Sequence, residues 1–425
     1  MKNNDTIFAL SSAPGVSGVA VVRVSGPKSL EILKELTGRK RFAARHAYLC
    51  KVNGDHVLAI YFAAKSSFTG EDSAEIHPHG SRAVLAALYE SLLHLGARTA
   101  QNGEFTRRAV MNGKMNLAQA EALLDIINSE TSVQKAVALR RMDARSYKEY
   151  DQWHEVLVQQ LARLEFELDF SDGQDLPSGF DMGQLAGIAG KIAGRLRNSR
   201  DGRIISHGFS IAVVGAVNAG KSSLINVLSR SDAAIVSDIA GTTRDVISVK
   251  LEIGGFPVIM KDTAGLRQTV DSIEKEGIRR ALQEAENADL VLHLIGGDDD
   301  DTEYSVDFKH ILCVHNKADQ RENRDPGRLD ISCLTGEGIP QLIETIRQIM
   351  QNQWDNTQDW QFISLRHKTA LDQALQALGQ AQTAQDKELT AEWVRQAILC
   401  LDSITGRDGA AQAMDEVFKN FCIGK

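Results

Sequence analysis

The chain has 425 residues, of which 43% are hydrophobic, and it carries a formal net charge of −8 at pH 7. This length and composition are typical of a globular chain with two or three domains, each with its own core. The acidic balance excludes binding of nucleic acid by bulk charge, and no apolar run approaches the ~20 residues that cross a bilayer. The five cysteines are scattered without a C-x-x-C pair, which excludes a disulfide framework. A cytoplasmic protein without a membrane anchor is therefore expected.

Two clusters contain the densest basic charge in the chain. They are Arg39, Lys40, Arg41 and Arg45, and Arg140, Arg141, Arg145 and Lys148. The simpler interpretation of each is a solvated helix or loop face, and a local contact with nucleic acid is the alternative.

Residues 1–117 mix strand-like and helical patterns, which predicts an α+β domain. The stretches GVAVVRVSG and HVLAIYFAA are typical of strands, and SRAVLAALYESLLHLGA predicts a helix that ends at Gly96. The pattern then becomes helical, and Asn116 with Gln119 predicts a near capping box at the first helix. Long amphipathic stretches predict a first helical part over residues 118–206.

A strand–loop–helix series begins with FSIAVVG and runs to about Met350, and helical patterns return after it. We therefore predict a multidomain fold with α/β and all-α parts. An α/β domain over 207–352 interrupts a helical domain, whose second part covers 353–425. Within the inserted domain, Cys313 belongs to the apolar run HILCV, so a buried side chain is expected.

The segment GAVNAGKSS fits the phosphate-loop pattern G-x-x-x-x-G-K-S from Gly215 to Ser222, between a predicted strand and a predicted helix. In such a loop, backbone N–H groups surround the phosphates and the helix N-terminus adds a positive dipole. The Ser222 hydroxyl is placed to bind Mg²⁺. Nucleotide contacts are predicted for Asn218, Ala219, Gly220, Lys221, Ser222 and Ser223.

Four further segments follow in the order typical of GTP-binding domains. GTTRD offers Thr243 as a second Mg²⁺ ligand, and NKAD offers Asp319 as an acceptor for two hydrogen bonds from guanine. Adenine has neither donor, so it would leave a buried carboxylate unpaired. Together these segments predict GTP binding. The remaining nucleotide-contacting residues are Asp262, Thr263, Ala264 and Gly265 of DTAG, Asn316 and Lys317 of NKAD, and Ser332, Cys333 and Leu334 of ISCLTGEGI.

Hydrolysis needs a group that these motifs do not supply. Ras-like proteins carry a water-orienting Gln directly after the DTAG glycine, and this chain has Leu266 there. The missing group must come from elsewhere in the chain, from a partner subunit or from an ion. Glu274 and Glu276 follow downstream, and by spacing alone both are ordinary solvated helix residues.

The chain ends in FCIGK, which places Cys422 fourth from the last residue, as in a prenylation box. Lys425 fits the final position of such a box poorly, and no second anchoring signal is evident. A frayed tail and a reactive thiol at an active site are the alternatives.

The whole chain resembles the MnmE (TrmE) family of tRNA-modification GTPases. Besides the GTPase motifs, the resemblance rests on DTIFALSSAPGVSGVAVVRVSGP, TGEDSAEIHPHG, NGEFTRRAVMNGKMNLAQAEALLDII, DIAGTTRD, DTAGLR…IEKEGI and the terminal FCIGK. It implies an N-terminal α+β domain that dimerises and binds folate, a discontinuous helical domain and an inserted Ras-like P-loop GTPase domain.

The resemblance also implies roles in hydrolysis. Asn218 matches an asparagine that helps to bind K⁺, and this ion adds positive charge where other GTPases place an arginine. Glu274 matches the family's catalytic glutamate, which positions the attacking water and fills the gap left by Leu266. The implied K⁺ and nucleotide contacts of the following loop are Ser237, Ile239 and Thr242 for K⁺, with Asp238, Ala240 and Gly241 beside them.

For the N-terminal domain, the resemblance implies a site for 5-formyl- or 5,10-methylene-tetrahydrofolate. Its folate-contacting positions match Arg23, Glu75, Lys114 and Lys425, and Cys422 becomes a candidate catalytic thiol. A carboxylate suits the donors of a pterin, and cations suit a glutamate tail. The implied partners are a second copy of the chain, the FAD-containing flavoprotein MnmG (GidA) in a heterotetramer, and tRNA as the substrate.

Three departures from the family pattern are visible. Val217 replaces a common proline, His77-Pro78-His79 replaces Gln-Gly-His beside Glu75, and Cys333 replaces an alanine. The H-x-H pair has no third metal ligand at suitable spacing. The alternative functions are a regulatory or ribosome-assembly GTPase switch without modification chemistry, and a membrane-associated scaffold based on the prenyl-like tail.

Overall fold

The computed structural model describes residues 5–169, 179–198, 200–201, 204–205, 208–216, 218–231, 248–262, 285–296, 310–321, 328–354, 362–407, 411–419 and 421–424. The chain forms two compact units. The first comprises Met1–Leu124, Leu139–Arg197 and Arg366–Lys425, and the second comprises Asp125–Ala138 and Asn198–Leu365.

The first unit opens with a six-stranded sheet and three helices. Its elements are β1 (Ile7–Leu10), β2 (Val22–Ser25), α1 (Ser29–Thr37), β3 (Ala47–Val52), β4 (Asp55–Phe62), a 3₁₀ turn (Ala64–Ser66), β5 (Ser73–His77), α2 (Arg82–His94), β6 (Arg98–Thr99) and α3 (Glu104–Met111). The strands lie in the order β3–β4–β5–β2–β1–β6. Neighbouring strands pair antiparallel, except that β6 pairs parallel with β1. The predicted α+β character of this part is confirmed.

Local sequence explains where these helices begin and end. The Ser81 hydroxyl accepts a hydrogen bond from the Val84 amide at 3.2 Å and caps α2. The chain leaves α2 through Gly96, whose φ of 81° favours glycine, as predicted. The capping box is also confirmed, because the Asn116 amide donates to Gln119 Oε1 at 3.0 Å and the Gln119 amide donates to Asn116 Oδ1 at 2.8 Å.

The helical stretches predicted after residue 117 are present. Their apolar faces are buried, for example at Leu157 and Leu164. The elements are α4 (Leu117–Ile127), α5 (Ser132–Met142), a 3₁₀ turn (Ala144–Tyr147), α6 (Lys148–Asp169) and α7 (Met182–Asn198).

The second unit contains a five-stranded sheet. The elements of this unit are β7 (Arg200–Asp201), β8 (Phe209–Val214), α8 (Lys221–Ser229), β9 (Ser248–Ile253), β10 (Phe256–Asp262), β11 (Leu290–Gly296), β12 (Ile311–Asn316), a 3₁₀ turn (Ala318–Gln320), α9 (Ile339–Trp354) and β13 (Phe362–Ile363), which pairs with β7. The strands of the sheet lie in the order β12–β11–β8–β10–β9, with β8, β10, β11 and β12 parallel and β9 antiparallel. In such a sheet, ligands bind beyond the carboxyl ends of the parallel strands.

One burial prediction in this sheet is wrong. Cys313 is exposed, because β12 is the edge strand and the described residues leave Ile311 and Cys313 open to solvent on one face. His315, further along the same face, is buried. The other face of β12 carries buried residues, including Val314.

Residues 125–138 pack with the second unit, although the boundaries predicted from sequence group them with the helices. The Val133 amide donates to the Gly255 carbonyl at 3.2 Å, at the turn between β9 and β10. Lys250 Nζ lies 2.8 Å from Glu130 Oε1, and Val137 joins the core of the unit. The α4–α5 connection therefore contacts the far end of the β9–β10 hairpin.

The first unit ends with α10 (Leu365–Thr383), α11 (Lys387–Thr405) and α12 (Ala411–Lys419). The start of α10 meets α4 through a buried ion cluster, in which Arg366 Nε lies 2.6 Å and His367 Nε2 lies 2.9 Å from the Glu121 carboxylate. Burial opposes ionisation of Glu121, but the hydrogen bonds from Arg366 and His367 outweigh it and hold the pKa of Glu121 well below its ordinary value. This cluster joins residues 245 positions apart.

Candidate functional site

The predicted phosphate loop lies between β8 and α8, at the carboxyl end of a central strand of the sheet. Gly220 caps α8 with φ 100°, and Asn218 has φ 68°. Lys221 is buried, and its ammonium donates to the carbonyls of Gly215 and Ala216, both at 2.7 Å. The lysine ammonium, which a phosphate would attract, is thus bound by the carbonyls of its own loop.

Two glycines of this loop are required by close packing. A Cβ at Gly215 would lie 2.2 Å from the Leu294 carbonyl oxygen, and one at Gly220 would lie 2.1 Å from Asn316 Nδ2. The buried Asn316 side chain donates to the Ala219 carbonyl at 2.9 Å, and its Oδ1 accepts from the Cys333 amide at 3.2 Å. Asn316 therefore joins the phosphate loop to the segment predicted to support guanine.

The predicted guanine-selecting carboxylate is held by a serine. Ser332 Oγ lies 2.5 Å from Asp319 Oδ1 and also accepts from the Thr335 amide at 3.2 Å. Lys317 has φ 63°, which turns the chain between β12 and Asp319. Burial raises the pKa of the neighbouring Cys333 thiol to about 11. The thiol is therefore protonated at neutral pH, and Leu334 is exposed beside it.

Asp262 is the last residue of β10 and pairs in register with Val213 of β8, so the DTAG segment begins at the same edge of the sheet as the phosphate loop. Ser222 and Ser223 are exposed in the first turn of α8. A serine hydroxyl in this turn is an oxygen donor of the kind that Mg²⁺ takes as a ligand. The residues of this site that lie outside the described ranges are Ser237, Asp238, Ile239, Ala240, Gly241, Thr242, Thr243, Thr263, Ala264, Gly265, Leu266 and Glu274.

In the first unit, the structure brings Arg23 and Glu75 together across β2 and β5, where they are register partners. Arg23 Nη2 and Nε lie 3.0 and 3.2 Å from Glu75 Oε1, and His77 Nε2 lies 3.4 Å from Glu75 Oε2. The His77 hydrogen bond and the Arg23 guanidinium together overcome burial and lower the pKa of Glu75. Glu75 is therefore a partly buried, ionised carboxylate.

Two aromatic side chains complete this cluster. The Arg23 guanidinium carbon lies 5.4 Å from the Phe68 ring centroid and 5.9 Å from that of Phe105. Sequence analysis did not assign Phe68, Phe105 or His77 to the site. The available signal was their presence in or beside the segments TGEDSAEIHPHG and NGEFTRRAVMNGKMN, which also contribute Glu75 and Lys114.

Lys114 is exposed, and its ammonium donates to the Lys65 carbonyl at 2.7 Å. This contact joins Lys114 to the loop that leads to Phe68. The structure thus places Lys114 beside the 3₁₀ turn Ala64–Ser66, which precedes Phe68 in the chain.

The chain terminus is packed, which contradicts the frayed-tail alternative for residues 421–424. Phe421 is buried, and the Gly103 amide donates to the Cys422 carbonyl at 3.4 Å. The Gly424 carbonyl accepts from Ser11 Oγ at 3.0 Å, just beyond the end of β1. Since β1 pairs with β2, the tail lies one strand away from Arg23. Cys422 is exposed, and Lys425 lies outside the described residues.

A strand, a phosphate loop closed on a lysine and a serine-held aspartate define a P-loop GTP-binding protein. The chain matches two family descriptions, "GTP-binding protein TrmE N-terminus" over residues 6–114 and "MnmE helical domain" over residues 117–422. It belongs to the MnmE family, and it is a GTP-hydrolysing enzyme with an N-terminal TrmE domain, a helical domain and a mixed sheet that carries the phosphate loop.

Three curated relatives illustrate the similarity, and each bears the name tRNA modification GTPase MnmE. That of Parvibaculum lavamentivorans is 42% identical over 99% of this chain and 100% of the relative, and that of Maricaulis maris is 41% identical with the same coverage. That of Rhodospirillum rubrum is 41% identical over 99% of both chains.

Among solved structures, the G domain of the T. maritima FeoB iron transporter is 23% identical and covers 33% of this chain and 98% of that one. The TM-score between the two chains is 0.24. Within the described ranges, no helix has both the length and the apolar character needed to cross a membrane.

Proposed function

We propose that this protein is a K⁺-dependent GTPase that acts with the flavoprotein MnmG (GidA), which carries FAD. The two proteins would form a heterotetramer around a homodimer of this chain in the cytoplasm. Their substrate would be tRNA, in which they modify carbon 5 of the wobble uridine with a carboxymethylaminomethyl-type group. The observation that carries the proposal is the full-length similarity, at 41–42% identity, to proteins named tRNA modification GTPase MnmE.

The described residues support the GTP-binding part of the proposal. When GTP enters, Lys221 can exchange its two carbonyl acceptors for phosphate oxygens, which bind an ammonium more strongly because they are charged. Asp319 would accept the two donors of guanine while Ser332 fixes its orientation. Ser222 and Thr243 would hold Mg²⁺, which supplies positive charge to the phosphates.

The hydrolytic step would use the described Asn218 together with groups that lie outside the described ranges. Glu274 would position the attacking water, because Leu266 cannot. Asn218, Ser237, Ile239 and Thr242 would hold K⁺, which supplies further positive charge to the transition state.

The folate part is supported by the Arg23–Glu75–His77 cluster and the packed tail of the first unit. Glu75 is ionised and can accept from the donors of a pterin. Lys114 and Lys425 would attract the glutamate tail of 5-formyl- or 5,10-methylene-tetrahydrofolate, with Cys422 near the one-carbon unit. In this proposal the domains are 1–117, 118–206, 207–352 and 353–425.

Reconstitution with the flavoprotein tests the proposal directly. The complex, GTP, K⁺, Mg²⁺ and methylene-tetrahydrofolate should convert unmodified tRNA, and nucleoside analysis should detect the new group on the wobble uridine. Omission of this chain serves as the control. Unchanged tRNA in the complete mixture would exclude the modification chemistry.

The alternative, a GTPase switch without modification chemistry, is separated by calorimetric titration with 5-formyl-tetrahydrofolate. Specific binding that requires Glu75 favours the proposed function, and its absence favours the switch. For K⁺, GTP turnover should be much faster in K⁺ than in Na⁺, and Asn218→Ala should remove that difference.

A further inference from the structure

The connection between α1 and β3 carries a basic loop, defined as residues 38–46. Its cations are all exposed, and none forms an ion pair with a carboxylate among the residues that the structure describes. The protein as a whole carries eight more negative than positive charges, so an unneutralised group of this kind is unusual for it. The cations are Arg39, Lys40, Arg41 and Arg45.

The basic loop is held in one conformation. The Arg39 guanidinium carbon lies 4.0 Å from the Tyr48 ring centroid, and Arg39 Nε donates to the Arg41 carbonyl at 2.9 Å. The Ala43 amide donates to the Tyr48 hydroxyl at 3.0 Å. Arg45 Nη2 donates to the Ser66 carbonyl at 3.0 Å. Because folding has already ordered the loop, a ligand does not need to order it on binding.

The second basic cluster of the sequence differs in this respect. Arg145 lies 2.9 Å from Asp143 Oδ2, and Arg141 is largely buried at 3.8 Å from the Glu121 carboxylate. Its arginines are therefore partly neutralised by their own neighbours. Asp143 already stands two residues before Arg145 in the sequence, whereas the contact of Arg141 with Glu121 is formed only in the tertiary structure.

We propose that the basic loop is a docking surface for the phosphate backbone of tRNA. Guanidinium and ammonium groups are the main phosphate-binding side chains, and each phosphate contact releases a counterion. A chain with a net charge of −8 repels a polyanion overall, so attraction must be concentrated where cations lack carboxylate partners. This inference rests on the proposed action on tRNA and adds the surface through which the chain would meet it.

A competing explanation is structural. β3 is the edge strand of its sheet, and nearby cations can prevent two edges from pairing. In that case neutral substitutions would cause the chain to associate and would leave RNA binding unchanged. A third explanation is that the basic loop binds an anionic membrane, since lipid headgroups also carry phosphates.

The test uses Lys40→Gln/Arg41→Gln in the full-length chain. These side chains are exposed, and the substitutions leave the stacked Arg39 and the anchored Arg45 in place. The matched control is Arg145→Gln/Lys148→Gln in the second cluster, where the carboxylate of Asp143 lies beside both cations. tRNA binding is measured by fluorescence anisotropy between 50 and 200 mM salt, with the chain alone and with the flavoprotein complex.

We expect the Lys40/Arg41 variant to bind tRNA roughly 10-fold more weakly, with the slope of log K against log salt lower by about two, one for each phosphate contact. The control should keep the wild-type affinity and slope. GTP turnover should be unchanged in both variants, because neither pair lies in the nucleotide site.

Other outcomes overturn the inference. If the wild-type protein binds tRNA and the Lys40/Arg41 variant shows the same salt slope, the basic loop is not the tRNA-docking surface. The proposed function is unaffected by that result. Association of the variant, seen by light scattering, with unchanged tRNA binding supports the edge-strand explanation. Loss of binding to phosphatidylserine vesicles with unchanged tRNA binding points to a membrane. If the wild-type complex neither binds nor modifies tRNA, the proposed function fails as well.

Discussion

The candidate nucleotide site takes its phosphate loop from the contiguous segment Gly215 to Ser222. The candidate folate site instead joins Arg23 to Glu75, 52 residues away, and receives a tail that contacts Ser11 across 413 positions. In the first, backbone N–H groups and a helix end do most of the binding, and a short sequence specifies both. In the second, side chains would do the binding, and strand pairing and tail packing decide which of them meet.

The two kinds of site are expected to lose ligand binding through different kinds of substitution. A site formed by one contiguous loop depends on backbone conformation, so a single added methyl group can prevent nucleotide binding. A site assembled from distant positions depends on charge pairing, so loss of one charge should weaken it without affecting the other unit. The following predictions are ordered from the largest expected effect to the smallest.

Gly220→Ala should abolish GTP binding in the working concentration range. A residue other than glycine at φ 100° is strained by about 1–2 kcal/mol, and its Cβ would lie 2.1 Å from Asn316 Nδ2. The combined effect should be a loss of roughly 100-fold or more in GTP affinity, measured with a fluorescent GTP analogue. Folate binding should persist.

The control is Gly379→Ala on α10, where a Cβ meets nothing within 4 Å. It should stabilise its helix by up to about 1 kcal/mol and leave GTP affinity unchanged. Wild-type GTP affinity in Gly220→Ala would show that the loop opens on nucleotide entry more than its contacts indicate.

Glu121→Gln should cost about 3–5 kcal/mol of the free energy of unfolding of the first unit, because it leaves Arg366 without its buried charge partner. The measurement is urea unfolding followed by tryptophan fluorescence. Glu165→Gln breaks an exposed ion pair with Arg395 and should change stability by less than about 1 kcal/mol. Equal effects of the two substitutions would show that burial does not decide the strength of these long-range pairs.

Glu75→Gln should weaken binding of 5-formyl-tetrahydrofolate by roughly 10- to 100-fold, since hydrogen bonds to a charged group contribute about 1.5–3 kcal/mol. GTP turnover should not change, because the substitution lies in the other unit. Glu90→Gln, on the exposed side of α2, is the control for charge alone. Folate affinity that is unchanged in Glu75→Gln would argue against this carboxylate as a ligand for the pterin.

Ser332→Ala should reduce the preference for GTP over inosine triphosphate by roughly 10-fold. Its hydroxyl holds Asp319 at 2.5 Å, and without it the carboxylate can turn away from the 2-amino group that distinguishes guanine. Competition binding with both nucleotides measures the ratio, and Thr345→Ala on α9 is the control. A ratio equal to that of the wild type would assign the orientation of Asp319 to the backbone alone.

The smallest effect concerns pH. Burial lowers the pKa of His367, and the hydrogen bond to Glu121 opposes this without cancelling it. As pH falls below the unfolded-state pKa of about 6.5, the unfolded chain binds a proton that the folded chain does not, so stability should fall by at most about 1.4 kcal/mol per pH unit.

The groups that face His367 include Glu121, Arg366 and Arg141. Glu121 acts at lower pH, because its pKa is depressed and its contribution is lost only below the ordinary carboxyl range. His367→Gln should flatten the stability curve between pH 7 and 5. An unchanged curve would assign that loss of stability to other histidines.

Much of the fold follows from local sequence. The strand FSIAVVG, the capping box at Asn116 and the helix end at Gly96 were predicted because hydrophobic period, caps and glycine act within a few residues. The prediction for Cys313 failed for a related reason. Apolar neighbours indicate a strand, but only the strand order shows that this strand lies at an edge.

The sequence by itself determined the GTP-binding motifs, since each uses consecutive residues whose backbone geometry is local. Tertiary structure alone decided that Arg23, Glu75 and His77 form one cluster, that the α4–α5 connection packs on the β9–β10 hairpin, and that Arg141 of the second basic cluster lies beside the distant Glu121. These facts depend on strand register and on contacts between distant segments, which no short-range pattern encodes. The last residues illustrate both sides, because FCIGK could be recognised in the sequence but only its packing against Ser11 and Gly103 places it near Arg23.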